Sequence, residues 1–302
     1  MNLKHVISAQ QFDTKSLVSL FLLTDRIKLG RFNRKALSGK IMATLFYQPS
    51  TRTRLSFESA MLKLGGNYVS TENASEFSSA VKGETLEDTI RVINFYADVI
   101  VIRHPEHGSA RLAADYSNIP VINAGDGIGE HPTQALLDLY TIFSKVKSQN
   151  FTITITGDLA NYRPSHSLSY LLSLYPMIKI IYVSPKHLSM RQSLRSYLKN
   201  KKITFTETEN FNEGISQADV IYQTRIPKEY LTRREYKKYA GKYILDKTKL
   251  KLVKKEAIIL HPLPRVKEIT AEIDKDPRAI YFQQAENGIY IRMALLLSLL
   301  GA

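Results

Sequence analysis

Leu45-Phe46-Tyr47-Gln48-Pro49-Ser50-Thr51-Arg52-Thr53-Arg54-Leu55-Ser56-Phe57-Glu58 holds the passage from which the fold is read. An apolar run that reads as a strand ends at Pro49. A helix-compatible pattern starts at the Ser/Thr cluster, with Leu55, Ala60, Met61 and Leu64 at its apolar positions. Hydroxyls, backbone N–H groups and two arginines therefore crowd one helix N-terminus. There the helix dipole favours an anion, orphan N–H groups point at it, and arginine adds forked, charge-assisted bonds. The same letters also fit an ordinary Ser/Thr helix cap with solvated arginines, and this segment alone does not separate the two readings.

Strand followed by helix recurs along the chain, which argues for an α/β fold with parallel sheets. Strands are expected at 42–46, 68–70, 99–102, 121–123, 152–156, 180–183, 204–206, 220–223, 258–260 and 280–282. Helices are expected at 14–28, 53–64, 85–96, 107–115, 133–146 and 287–300. Several strands are uniformly apolar, as expected when helices cover both faces. The polar stretch 145–150 precedes a fresh strand and marks the start of a second sheet.

With 302 residues the chain has room for one large or two medium domains. It contains no cysteine, which excludes disulfides and cysteine-based metal or nucleophile chemistry and fits a cytoplasmic location. No apolar run is long enough to span a bilayer and no secretory apolar region follows Met1, so no membrane partner is expected. Lys+Arg 42 against Asp+Glu 28 gives a net charge of +14. The lysines are scattered through segments read as loops, 186–202 and 247–255. They read as a solvated surface, with attraction of anions as a secondary effect. No nucleic-acid-binding module and no basic, aromatic-interleaved stripe is present, so nucleic acid is not expected as a partner.

Further motifs sit just after expected strands, where ligands bind in open α/β sheets. Arg103-His104-Pro105 leaves one strand; Arg103 either faces the sheet edge or pairs with a local carboxylate. Gly125-Asp126-Gly127 precedes His131-Pro132-Thr133-Gln134. The glycines would let the backbone approach a ligand, and His131, opening a helix, reads as a neutral donor. Gln134 can offer amide contacts to a small planar group; taken singly, the commoner reading is that His131 merely caps the helix and Gln134 is a polar residue of its surface. Arg163 follows Gly157-Asp158, and Arg225 follows Gln223-Thr224; both are cations suited to a substrate carboxylate. In His261-Pro262-Leu263-Pro264-Arg265 the prolines suggest either a rigid, extended loop whose carbonyls face a ligand or a structural turn. Several cations and hydroxyls thus gather at strand ends, without a nucleophile triad, clustered metal ligands or a complete dinucleotide or Walker glycine motif. Such a site suits a phosphorylated substrate together with a carboxylate-bearing one.

Ser50-Thr51-Arg52-Thr53-Arg54, Lys82-Gly83-Glu84-Thr85, Arg103-His104-Pro105, His131-Pro132-Thr133-Gln134 and His261-Pro262-Leu263-Pro264-Arg265 together resemble the aspartate/ornithine carbamoyltransferase family, aspartate type. The resemblance runs from near residue 3 to the end. It implies two doubly wound α/β domains, with the C-terminal helix packing back on the first. On that basis 1–132 with 288–302 would bind carbamoyl phosphate and 133–287 would bind aspartate. The implied activity is carbamoyl transfer from carbamoyl phosphate to L-aspartate in de novo pyrimidine synthesis, without a cofactor or metal. Ser50, Thr51, Arg52 and Thr53 match phosphate-binding residues, and Arg54 matches a position of structural support. Thr53, Arg103 and His131 match donors to the carbamoyl oxygen. Gln134 and the Leu263 carbonyl match contacts to the carbamoyl nitrogen. Arg163 and Arg225 match the arginines that hold aspartate. Ser78 and Lys82 match a loop that enters the neighbouring subunit's site, Lys82 reaching aspartate, which implies a homotrimer with shared active sites. Some family members also bind separate regulatory chains.

Three positions depart from the family pattern. Gln48 stands where Glu is usual, Tyr230 where Arg is frequent, and Pro227 where Gln commonly contacts aspartate. The first two remove an acid and its arginine together, so domain closure is expected to be less switch-like. Pro227 removes a side-chain amide and a backbone donor beside Arg225, which leaves open a different amino-acid acceptor. A catalytically weak regulatory or structural paralogue is the reading from another class.

Overall fold

The computed structural model describes residues 3–73, 83–226, 231–239 and 241–301; Ser78, Lys82, Pro227 and Tyr230 lie outside the described residues. The chain divides into two units, Met1–Leu137 with Glu286–Ala302, and Asp138–Ala285.

In the first unit, β1 (Ile41–Phe46), β2 (Asn67–Glu72), β3 (Val99–His104) and β4 (Val121–Asp126) form a parallel sheet in the order β2-β1-β3-β4. Its helices include α1 (Thr14–Lys28), α2 (Thr51–Lys63), α3 (Leu86–Ile93) and α4 (Ser109–Asp115). Helix α5 (Pro132–Lys145) starts in this unit. The run Val99-Ile100-Val101-Ile102 is buried throughout, as a strand covered on both faces requires. Each such side chain contributes about 1.5–3 kcal/mol by leaving water. The edge strand β2 differs, with Tyr68 and Val69 exposed. At the other edge, Val6 runs parallel to Ile122 and exchanges bonds with β4: Val6 N–H to Val121 O at 2.8 Å and Asn123 N–H to Val6 O at 2.8 Å.

The last helix, α11 in chain order (Tyr281–Leu300), returns to this unit. Arg292 donates to Ser56 Oγ at 2.7 Å and lies over the Phe57 ring, and Asn287 Oδ1 accepts from Lys28 Nζ at 2.8 Å. The sequence pattern puts a strand at 280–282 and starts the helix at 287. In the structure only Ala279 bridges to Ile259, and the helix begins at Tyr281. A short apolar triplet carries no periodicity that separates strand from buried helix.

The second unit holds β5 (Thr152–Thr156), β6 (Lys179–Val183), β7 (Phe205–Thr208), β8 (Val220–Gln223) and β9 (Ile258–Leu260), parallel in the order β7-β6-β5-β8-β9. Between them lie α6 (Arg163–Leu172), α7 (Gln192–Asn200), α8 (Phe211–Gln217), α9 (Arg233–Tyr239) and α10 (Lys247–Leu250). The lysine-rich segments are therefore not all loop. In α7, Leu194 and Leu198 sit four apart and are buried, enough to dock an otherwise polar helix. In α10, Asp246 caps the start by accepting the N–H groups of Thr248 and Lys249.

Both sheets reverse direction once. The chain moves from β1 outward to β2, then returns to place β3 on the opposite side of β1; it moves from β5 to β6 and β7, then returns to place β8 beside β5. The carboxyl ends of the strands at such a reversal form a crevice that nothing in the sheet itself fills. In register, Phe46 faces Arg103 at the first reversal and Thr156 faces Gln223 at the second.

Candidate functional site

The first reversal brings together three of the segments singled out by sequence. Ser50 takes the N-cap position of α2 with φ −161° and ψ 85°, and its side chain makes no capping hydrogen bond. The ordinary Ser-cap reading therefore does not describe it. The ladder starts with Arg54 N–H donating to Ser50 O at 3.1 Å, so the N–H groups ahead of it point out of the helix end. Thr53 is buried and Arg52 is exposed. Arg54 turns elsewhere: it pairs with Glu72 at 2.8 Å and donates to Ser70 Oγ at 3.3 Å, fastening α2 to β2.

Arg103 lies beside this helix end. Its carbonyl accepts the Tyr47 N–H at 2.9 Å, and its Nη1 donates across to Ala124 O at 3.2 Å. The guanidinium thus reaches along the carboxyl edge from β3 to β4. The ring of His104, the next residue, lies 4.7 Å from that of Tyr47. Burial pushes the His104 imidazole below its ordinary value, keeping it neutral, and Nδ1 accepts the Glu106 N–H. From β4 the chain passes to His131, whose carbonyl accepts the N–H groups of Gln134 and Ala135. The buried His131 therefore stands at the N-cap of α5, followed by Pro132 at the favoured first position. Gly127 does not open space for a ligand. A Cβ on Gly127, which has φ +49°, would lie 2.6 Å from Pro105 O and 2.7 Å from His107 N. Its missing side chain admits the protein's own backbone and not a ligand.

The second reversal holds Arg163, buried as the first residue of α6, and Arg225, half-buried just past β8. The two strand exits are laced together. Thr224 donates to Thr156 O through its N–H (2.8 Å) and its hydroxyl (2.7 Å), and Arg225 O accepts from Asp158 N–H at 3.4 Å. Asp158 accepts the N–H groups of Ala160 and Asn161 and so shapes the turn; burial raises its pKa and outweighs these bonds. His166 donates Nε2–H to Leu159 O at 2.8 Å. Two arginines placed after adjacent strands suit a ligand with more than one carboxylate.

Of the two readings of the loop after β9, the structure shows the turn: Leu263 has φ +53°, so the loop is not extended there. The Leu263–Pro264 peptide is cis. His261 sets this turn. Its Nδ1 accepts the Leu263 N–H at 2.8 Å, which leaves the proton on Nε2 to donate to Glu268 at 2.8 Å. Glu268 also accepts the N–H groups of Val266 and Lys267. Burial is the largest single influence and works against its charge, but the His261 interaction and the backbone N–H bonds together outweigh it, and the pKa falls below the ordinary 4.5. Arg265 is paired with Asp274 and donates to Tyr281, and is not left for a ligand. Behind the loop, Asp138 accepts from Tyr222 (2.6 Å) and Gln284 (2.6 Å), and Gln284 accepts the His261 N–H (2.8 Å). Neither Asp138 nor Glu268 stood out in the sequence.

Removing the Glu268 acceptor should cost about 2–4 kcal/mol at neutral pH, because buried donors lose a charged partner. A group whose pKa falls on folding stabilises above its unfolded value. The gap between wild type and Glu268→Ala in denaturant titrations should therefore narrow as pH drops below 4.5. An unchanged gap down to the acid limit would remove Glu268 from this role.

Family models match the chain over nearly its whole length. Residues 4–144 match the aspartate/ornithine carbamoyltransferase carbamoyl-P binding domain, and residues 149–299 match the Asp/Orn binding domain of the same family. This chain belongs to the aspartate/ornithine carbamoyltransferase family. Among the relatives of this carbamoyltransferase is the chloroplastic aspartate carbamoyltransferase of Arabidopsis thaliana, 53% identical across 99% of this chain and 78% of that one. The catalytic subunit of M. jannaschii aspartate transcarbamoylase superposes with a TM-score of 0.90 at 44% identity, covering 99% and 98% of the two chains. Aspartate transcarbamoylase from Trypanosoma cruzi, in complex with carbamoyl phosphate and aspartate, gives 0.90 at 37% identity, covering 98% and 95%. The C-terminal family match includes α11, although from Glu286 onward that helix belongs to the first unit.

Proposed function

We propose that this carbamoyltransferase moves the carbamoyl group of carbamoyl phosphate to the amine of L-aspartate, giving N-carbamoyl-L-aspartate and phosphate for de novo pyrimidine synthesis. One observation carries the choice of acceptor: Arg163 and Arg225 stand at the exits of the adjacent strands β5 and β8. Two guanidinium groups attract the carboxylates of aspartate and repel the cationic side chain of ornithine. The chain also lacks any cysteine, which the loop after β9 bears in the ornithine type.

In this reading Ser50, Thr51, Arg52 and Thr53 hold the phosphate at the N-terminus of α2. The unprotonated aspartate amine attacks the carbamoyl carbon, and negative charge grows on the carbonyl oxygen. Thr53, Arg103 and His131 donate to that oxygen. Gln134 and the Leu263 carbonyl take the carbamoyl nitrogen. The C–O bond to phosphate breaks, and the departing phosphate accepts the amine proton. Carbamoyl phosphate is already an activated acyl donor, so orientation and charge stabilisation are what the protein must add. Lys82, with Ser78, is assigned to the neighbouring copy's site, and the assembly to a homotrimer. Exposed Leu55, Leu62, Tyr68 and Val69 on α2 and the edge strand β2 support self-association, since an uncovered apolar edge invites pairing. Among the described residues no helix is long and apolar enough to cross a membrane, and we assign the enzyme to the cytoplasm. A weak paralogue is disfavoured by the retention of Arg52, Thr53, Lys82, Arg103, His131 and Gln134 together.

Phosphate release measured with carbamoyl phosphate and increasing aspartate should saturate, and light scattering should give three chain masses. No aspartate-dependent release at any concentration would refute the activity.

A further inference from the structure

Asp126 touches none of the groups assigned to the substrates, yet it joins the two turns that carry them. It ends β4 in register with His104 and is buried. One carboxylate oxygen accepts the Glu130 N–H at 2.8 Å and the Asn123 amide at 3.3 Å; the other accepts the Gly108 N–H at 3.1 Å and lies 3.8 Å from His107 Nδ1. The Asp126 carbonyl accepts the Gly129 N–H at 2.8 Å, and the His104 carbonyl accepts the Gly127 N–H at 2.8 Å. One arm of Asp126 therefore grips the N–H of Glu130, the residue before His131. Its other arm grips the turn that follows Arg103 and opens α4. Glu130 braces the same loop from the opposite side, accepting Ser8 Oγ at 2.5 Å and Ala9 N–H at 2.7 Å.

We infer that Asp126 is a positioning residue that fixes the spacing of Arg103 and His131 around the carbamoyl oxygen. The inference rests on the function proposed above. A carboxylate offers acceptors on both sides and no donor. An amide of the same shape keeps one acceptor and turns an NH2 toward a donor on the other side, so one of the two grips is lost. Donors to a developing oxyanion act only when held in place, and a displacement of about 1 Å costs on the order of a hundredfold in rate. The phosphate-holding end of α2 has no bond to Asp126 and is expected to be unaffected.

The test compares wild type, Asp126→Asn and Asp126→Ala in steady-state carbamoyl transfer, with inorganic phosphate affinity measured by calorimetry on the same preparations. We expect kcat to fall roughly tenfold for Asp126→Asn and roughly a hundredfold for Asp126→Ala, with phosphate affinity within about twofold of wild type. Asp126→Asn preserves shape and volume and keeps the comparison valid if Asp126→Ala folds poorly. A kcat for Asp126→Asn equal to wild type would overturn the inference. So would parallel losses of kcat and phosphate affinity, which mark general damage to the unit. A wild-type chain that fails to carbamoylate aspartate would instead overturn the functional reading itself, and this inference with it.

Discussion

Replacing Arg52 by alanine is expected to lower carbamoyl transfer by roughly a hundredfold or more, the range seen when one donor to a developing anion is removed. Arg52 stands in the first turn of α2, is exposed, and follows a Ser50 whose hydroxyl is not spent on capping. The helix end supplies backbone N–H groups and about half a positive charge, but only the guanidinium adds a full charge to the phosphate. That charge assists binding of the phosphate ester and, more strongly, its departure as a free dianion. Both kcat and the KM for carbamoyl phosphate should therefore suffer. Arg52→Lys should recover part of the loss, since lysine keeps the charge without the fork. Arg54→Ala is the contrasting case: its bonds to Glu72 and Ser70 make it a fastening of α2, so it should lower the unfolding midpoint more than it alters the phosphate KM. Steady-state kinetics with either substrate varied decides the matter, and near-wild-type turnover in Arg52→Ala would refute the phosphate assignment.

Replacing Arg225 or Arg163 by alanine is expected to raise the aspartate KM by about ten- to a hundredfold, from about 1.5–3 kcal/mol per charged hydrogen bond. Carbamoyl phosphate affinity should stay near wild type, because the phosphate-holding residues belong to the other unit. Arg163 is the more sensitive position. It is buried at the start of α6, so a neutral replacement also leaves a cavity beside the laced strand exits. Arg225 is half-buried and should give the cleaner effect on KM alone. An unchanged aspartate KM in both variants would detach the second crevice from acceptor binding.

Much of this fold is legible in the sequence because buried parallel strands are short, apolar and separated by helical periodicity. The runs at 99–102 and 152–156 could hardly be anything else. The crevices are less legible. They depend on which strands become neighbours, and the pairing of β1 with β3 and of β5 with β8 is written in no local pattern. Their residues could be found only because cations and hydroxyls followed strand after strand. The helices of the second unit hid behind lysines, as α7 shows with two leucines anchoring nine residues. At 280–282 an apolar triplet read as strand opens a helix, and at Leu263 two prolines that suit either extension or a turn flank a left-handed residue. The supporting carboxylates were invisible for another reason. Asp138 meets Tyr222 and Gln284 across 84 and 146 residues of sequence, and a lone acidic letter carries no sign of partners so distant.

The central claim is that the acceptor is the amine of aspartate. It is tested most directly by offering carbon-13-labelled carbamoyl phosphate with equimolar aspartate and ornithine in one reaction and following the label by NMR. The expected result is label in N-carbamoyl-L-aspartate alone, formed roughly a hundredfold or more slowly when Arg52→Ala replaces the wild-type chain. Label in the carbamoylated ornithine, or none transferred to either amine, would contradict it.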